Sequence, residues 1–137
     1  MKCKAIACAV LVTLSAGADA ASTARETITY KNERGSVLTL HFTSKDTLSG
    51  TFKTAVASKE CQEAIGSERP VVGYIVKNAI TISVDYPACG SVLTFIGNIE
   101  QGKAMIDTTS ILAHQSTHIA TQGPGARFIG HDVFKRV

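Results

Sequence analysis

The stretch SVLTLHF, residues 36–42, alternates strictly. Leu38, Leu40 and Phe42 fall on one side of an extended chain, and Val37, Thr39 and His41 on the other. The same two-residue period recurs along the chain, and no segment sustains an apolar period of 3.6. The runs are ETITYKN, SVLTLHF, SGTFKTAV, PVVGYIV, AITISVDY, SVLTFIGNIE, AMIDTTSILAH and ARFIGHDVFKRV. Short turn signals separate them: ERG, SKDTL, Lys77-Asn78, PACG and QGK. Two longer polar loops, ASKECQEAIGSER and QSTHIATQGPG, complete the chain. These runs predict an all-β domain of eight antiparallel strands with no helix. An up-and-down β-barrel closes such a sheet on itself and removes its exposed edges, and a barrel of this strand number has room for one small ligand.

The first 20 residues stand apart. Lys2 and Lys4 precede an apolar run from Ala5 to about Ala16, and Ala18-Asp19-Ala20 follows with the small-residue spacing of a cleavage site. Residues 1–20 therefore read as a secretory signal, too short in its apolar part to span about 30 Å of hydrocarbon. Residues 21–137 form the single barrel domain, secreted or periplasmic. Its 117 residues suffice for one core. Losing Lys2, Lys4 and Asp19 lowers the formal net charge of +3 by one, and the remaining basic residues are scattered, so neither nucleic acid nor a membrane surface is an expected partner. Cys3 and Cys8 leave with the signal. Cys61 and Cys89 remain, an even pair in an exported chain, and read as a disulfide in preference to a metal site.

Enzyme signatures are weak. His114 and His118 lie four apart in HQSTH, a spacing that binds zinc on a helix, yet the glutamate of the zincin motif is missing and the segment reads as a strand end entering a loop. No nucleophile elbow, phosphate loop or dinucleotide fingerprint occurs. Asp46, Asp85, Asp107 and Asp132 are not paired by any spacing. His131 and Asp132 point to opposite faces of a strand, so the adjacent pair cannot act together inside a barrel. No catalytic residue, metal or cofactor is expected. Asp132 raises a question of its own, because it shares a strand face with Phe128 and Phe134, and an unpaired buried carboxylate costs several kcal/mol.

NERGS at 32–36, SGTFKTAV at 49–56 and GHDVFKRV at the C-terminus, in this order and spacing, resemble the avidin and streptavidin family. The Cys61–Cys89 pair, the polar loop before PVVG and the CGS at strand six are similar to its disulfide-bearing, dimeric rhizavidin-like branch. The resemblance implies an avidin-like barrel that holds biotin without catalysis. It implies that Asn32 and Ser36 bond the ureido oxygen, that Asp132 and Thr54 each accept a ureido N–H, and that Ser91 lies near the carboxylate tail. Val56, Ala57 and Ser58 would begin the loop that folds over the ligand. Leu93 and Leu112 would join the apolar lining.

The chain departs from the family in its rings. It contains no tryptophan. Tyr86, Phe95 and Ser110 stand where the family carries tryptophans, Pro124 stands where tetrameric members lend one to a neighbour, and Phe52 replaces a tyrosine whose hydroxyl reaches the ureido oxygen. Arg34 occupies a turn position that is apolar in the family and is expected to face solvent. The implied function is a biotin binder weaker than typical avidins. The alternative is a barrel of this fold that takes another small molecule or has lost biotin binding. A homodimer is expected, with a tetramer as the other assembly.

Overall fold

A computed structural model describes residues 25–137, and the signal-sequence reading of residues 1–20 lies outside them. Eight strands follow one another: β1 Glu26–Lys31, β2 Val37–Phe42, β3 Thr47–Lys53, β4 Glu68–Val76, β5 Ala79–Tyr86, β6 Ser91–Ile99, β7 Met105–His114 and β8 Arg127–Arg136. Each pairs antiparallel with the next, and β8 returns to β1 to close an eight-stranded barrel. The expected up-and-down architecture is therefore the observed one. Two local expectations are corrected. The third strand ends at Lys53 rather than Val56, because Thr54 turns its hydroxyl onto the Val56 carbonyl instead of continuing the ladder. The chain also contains helical turns, at Lys59–Ala64, Pro87–Cys89, Gln101–Lys103 and a four-residue helix, α1, at Ile119–Gln122. All are too short to leave an apolar period in the sequence.

Alternation sorts the side chains. Ile28, Tyr30, Leu38, Leu40, Phe42, Leu48, Phe52, Val71, Ile80, Ile82, Val84, Phe95, Ile99, Ile106 and Phe134 fill the barrel. Three inward positions carry glycine instead. A Cβ at Gly50, Gly73 or Gly97 would stand 1.9 Å from the carbonyl oxygen of Thr39, Thr81 or Asp107 on the adjoining strand. Only a residue without a side chain allows the adjoining backbones so close. At the centre, the rings of Phe52, Phe95 and Phe134 meet edge to face, with centroids 5.3, 5.1 and 6.3 Å apart.

The two ends of the barrel differ. At one end Tyr30 donates to the Lys103 carbonyl at 3.1 Å, and the Lys103 ammonium lies 4.8 Å from the Phe42 ring centre and 2.6 Å from Glu26. That turn plugs the barrel. The other end is framed by the β1–β2 turn, the long loop of residues 54–67 and the β5–β6 and β7–β8 connections. Cys61 and Cys89 are disulfide-bonded, with Cα atoms 5.5 Å apart across 28 residues of chain, and tie the long loop to the β5–β6 turn.

Closing a loop of this size stabilises the fold by about 3–4 kcal/mol in the chain-entropy account. The Cys61→Ser, Cys89→Ser double variant is therefore expected to unfold at lower denaturant with a loss of that order. An unchanged midpoint for the oxidised wild type and the variant would show that the bridge contributes nothing.

Candidate functional site

The β1–β2 turn builds the site. Asn32 follows the last residue of β1, and its backbone closes the turn through bonds from Gly35 N–H to Asn32 O at 3.0 Å and from Asn32 N–H to Ser36 O at 3.1 Å. Gly35 occupies the left-handed region at φ 90°, which favours glycine. The turn aims two side chains inward. Asn32 Oδ1 accepts from Ser36 N–H at 2.9 Å, which orients the amide so that Nδ2 donates to Asp132 Oδ1 at 2.9 Å. Asn32, Ser36 and Asp132 are 8%, 1% and 7% exposed. The inward carboxylate of the last strand is thus met by an amide donor from the first.

The polar chain continues. Ser36 Oγ accepts from Ala55 N–H at 3.0 Å and so retains its own proton for another acceptor. Thr54 is buried, donates to the Val56 carbonyl at 2.7 Å, and its carbonyl accepts from Gly66 N–H at 2.9 Å to hold the long loop shut at its base. Thr54 Oγ1 also receives Val56 N–H at 3.3 Å. Asp132, Asn32 and Ser36 therefore stand in one hydrogen-bonded series that Ala55 N–H joins to the β3–β4 loop, next to Thr54.

The apolar candidates occupy one side of the same end. Register pairs Phe95 with Ile82 and Ser110, and Leu93 with Val84 and Leu112. Phe52 and Phe95 are fully buried, Leu93 and Leu112 half-buried. Ser110 is 8% exposed and lies opposite Gly130, where a Cβ would stand 2.9 Å from Ser110 Oγ. Tyr86, the last residue of β5, is paired with Ser91. Its hydroxyl is buried and meets no hydrogen-bond partner among the described residues. Ser91 Oγ lies 2.9 Å from His114 Nδ1 and donates to the Cys89 carbonyl at 3.2 Å. Val56 and Ser58 are not gathered into this cluster; both are exposed on the long loop. Arg34 faces solvent, as its turn position suggested.

Three neighbours of the site escaped sequence reasoning. Thr108, 1% exposed, donates to the Asp132 carbonyl at 2.8 Å and fixes that stretch of β8. Its two-residue offset from Ser110 is the signal that would have found it. Arg69 stands at the start of β4 and reaches the Asp85 carbonyl at 2.9 Å and carboxylate at 2.6 Å. His114, considered above for its zinc-binding spacing, instead meets Ser91. His131 faces outward onto Asp107 at 2.6 Å. Among the described residues, no three histidine, cysteine or acidic side chains cluster as a metal would require.

Two hollows lie nearby or opposite. One of about 140 Å³, lined by Asn32, Glu33, Arg34, His131, Asp132 and Val133, opens where β1 and β8 diverge. It is smaller than a usual small-molecule pocket of about 300–1,000 Å³. A larger, open one of about 910 Å³ lies at the plugged end, among residues such as Asn78, Gln101 and Asp107, far from the buried polar series.

Burial pushes the Tyr86 hydroxyl from its ordinary 10.0 up to about 12, against the opposing field of Arg69. Burial likewise takes Tyr30 to about 12, with Arg136 opposing and Glu26 reinforcing. In the unfolded chain these hydroxyls ionise near pH 10, while the folded ones keep their protons to about pH 12. The unfolded state then binds fewer protons, so their contribution is intact below the lower value and lost through the upper one. Stability measured by denaturant is expected to fall across that window. Tyr86→Phe removes an unpartnered buried hydroxyl, so it is expected to raise stability at pH 7 by about 1 kcal/mol and to reduce the alkaline decline. Destabilisation of that variant at pH 7 would refute the assignment.

Comparison with known proteins gives a consistent picture. No curated protein matches the chain significantly. Among solved structures, bradavidin2 in complex with biotin is 26% identical, with a TM-score of 0.66 over 80% of this chain and 95% of that one. Short afifavidin in its apo form is 27% identical, with a TM-score of 0.66 over 81% and 95%. A rhizavidin–biotin complex, 21% identical with a TM-score of 0.66 over 82% and 100%, shares the fold. The avidin family model matches residues 20–137, and this chain belongs to the avidin family.

Proposed function

We propose that the chain is an exported, non-enzymatic protein that binds biotin inside its barrel. The observation that carries this reading is the buried series Asp132–Asn32–Ser36, which offers acceptors and donors at one end of the barrel. In the proposed complex the ureido oxygen accepts from the second Nδ2 proton of Asn32 and from the Ser36 hydroxyl. One ureido N–H goes to the Asp132 carboxylate and the other to Thr54 Oγ1. A bond from a neutral N–H to a buried carboxylate contributes about 1.5–3 kcal/mol. Phe52, Tyr86, Leu93, Phe95, Ser110 and Leu112 line the ligand body, Ser91 stands by its tail, and Val56 and Ser58 belong to the covering loop. The disulfide suits an oxidising compartment, secreted or periplasmic.

Affinity follows from what is missing. A lost donor to a buried ligand oxygen, as at Phe52, costs about 1–3 kcal/mol. Serine in place of a large ring at 110 forfeits about 2–3 kcal/mol of apolar contact. Biotin is therefore expected to bind about three to five decades more weakly than a fully equipped family member would. Calorimetric titration of the mature protein tests this. Binding is expected, weakened tenfold or more by Asp132→Ala and tightened by combining Phe52→Tyr with Ser110→Trp. If biotin gives neither heat nor a thermal shift at millimolar concentration, and the double change creates tight binding from none, the native barrel takes another small molecule or has lost biotin.

We also propose a homodimer. The outer face of β4–β8 exposes Val72, Tyr74, Val92, Ile96, Ile111 and Ile129, with Ile111 directly opposite Ile129 across the β7–β8 ladder. β5 sets the polar Thr81 and Ser83 between the β4 and β6 residues, so the apolar β7–β8 pair marks the seam of the proposed contact. Sedimentation equilibrium is expected to give twice the chain mass; a monomer at micromolar concentration would overturn the assignment, and four chains would replace it with a tetramer.

A further inference from the structure

The mouth of the barrel holds a hydrogen-bonded pair of which the binding scheme above uses only one member. Strand register stacks the inward positions of β6 and β7 in levels: Phe95 with Ser110, then Leu93 with Leu112, then Ser91 with His114. In the other direction Thr108, one inward step from Ser110, lies opposite Asp132. Counted from the Asp132 carboxylate, the Ser91–His114 level is therefore the last before solvent, at the end that the Lys103 turn does not plug. Ser91 is half-buried and His114 exposed.

The hydrogen bonds fix how the His114 ring stands. Ser91 has one hydroxyl proton, which goes to the Cys89 carbonyl at 3.2 Å. Its oxygen, 2.9 Å from His114 Nδ1, therefore accepts from that nitrogen, and Nδ1 carries the hydrogen. Nε2 meets no partner among the described residues. In the neutral ring Nε2 is then a bare lone pair; in the protonated ring it is a charged N–H donor. Arg69, the other cation on an inward position of this end, shares a level with Phe52 and is already committed to Asp85 at 2.6 Å. The charged and titratable groups on the elements around His114 are Lys59, Glu60 and Glu63 of the long loop, with Glu63 4.0 Å from Cys89 Sγ, His118, which bonds Thr117, and Arg127 at the start of β8. None of them is hydrogen-bonded to the His114 ring.

We infer that His114 reads the tail of the ligand: protonated, it holds a carboxylate at the mouth, so the site increasingly favours the free acid over a ligand with an amide tail as pH falls. His114 takes this role within the urea-binding reading of the same barrel, on which the assignment rests, and recognises the opposite end of the ligand. The neutral ring turns a lone pair toward the lone pairs of a carboxylate, whereas an amide tail can offer that nitrogen an N–H. Protonation reverses the order, because Nε2 then donates a charge-assisted bond to the carboxylate.

Calorimetric titrations of the mature protein with biotin and with its primary amide, at about pH 5.5, 7 and 8, test it across the range in which a histidine ordinarily changes charge. A carboxyl of ordinary pKa, about 4.3, stays largely ionised there. Effects on the urea end, Asp132 included, fall on both ligands alike and cancel in the ratio of their affinities. The wild-type preference for the acid over the amide is expected to rise about three- to tenfold from the highest pH to the lowest, the worth of a charge-assisted bond at a partly solvated rim. His114→Gln is expected to leave the ratio flat, and His118→Gln to keep the rise. Far-ultraviolet circular dichroism and thermal melting at each pH establish that every variant is folded before its ratio is read. Biotin binding with a flat wild-type ratio overturns this inference and leaves the biotin reading standing. A rise that survives His114→Gln overturns the assignment to His114. Absence of binding for both ligands at every pH overturns the biotin reading and this inference with it.

Discussion

Closure of the barrel depends on a short seam. β1 and β8 share two ladder pairs, Tyr30 with Arg136 and Lys31 with Lys135, and then part. Every other junction is longer; β7 and β8 alone share nine pairs. Beyond the seam the Asn32 amide takes over from the backbone, donating across the gap to Asp132. A carboxylate inside an apolar strand would be costly alone, and here it is the acceptor that lets the first strand hold the last. Thr108 secures the same stretch of β8 from the other side through the Asp132 carbonyl. The interaction that closes the sheet thus also belongs to the candidate site.

The interior divides around this seam. The edge-to-face group of Phe52, Phe95 and Phe134 fills the middle of the barrel, and below it Tyr30, Phe42, Ile99 and Ile106 pack under the Lys103 plug. Above it the inward positions turn polar: Asn32, Ser36, Thr54, Ser110 and Asp132. Dense packing in the lower half gives the upper half a rigid floor. The inward glycines at 50, 73 and 97 allow the strands to coil tightly enough for such a small cylinder to close. Cys61–Cys89 then fastens the longest connection over the open end, where the chain would otherwise be least constrained.

Much of this was legible in the chain itself. Alternation in SVLTLHF separated Leu38, Leu40 and Phe42, which are buried, from Val37, Thr39 and His41, because a half-buried strand leaves a period of two and a one-residue slip would invert it. The inward aim of Asp132 followed from the same parity with Phe134. What alternation does not encode is where a strand stops for a side-chain reason. Thr54 leaves β3 by bonding its own loop, a choice between backbone and hydroxyl that no pattern of apolar residues records. Helix α1 at Ile119–Gln122 is one turn long and held by local bonds such as Gln122 N–H to His118 O, so it has no face to pattern. Arg69 and His114 were missed because their partners, Asp85 and Ser91, become neighbours only through strand register.

The polar end is organised before any ligand arrives. Asn32 is oriented by Ser36 N–H and Asp132, Ser36 by Ala55 N–H, and Thr54 by the Val56 peptide. In the proposed complex a urea would meet the remaining lone pairs and protons without rearranging these bonds, and little ordering entropy would oppose it. The walls beside that end follow a different logic. A large apolar ring is worth about 25 cal/mol for each Å² that a ligand covers, and the small Ser110 offers little such area. In the proposed complex this preorganised polar grip, more than apolar area, would set the choice of ligand, because an unpaired donor left buried penalises the wrong ligand more than a paired one favours the right one.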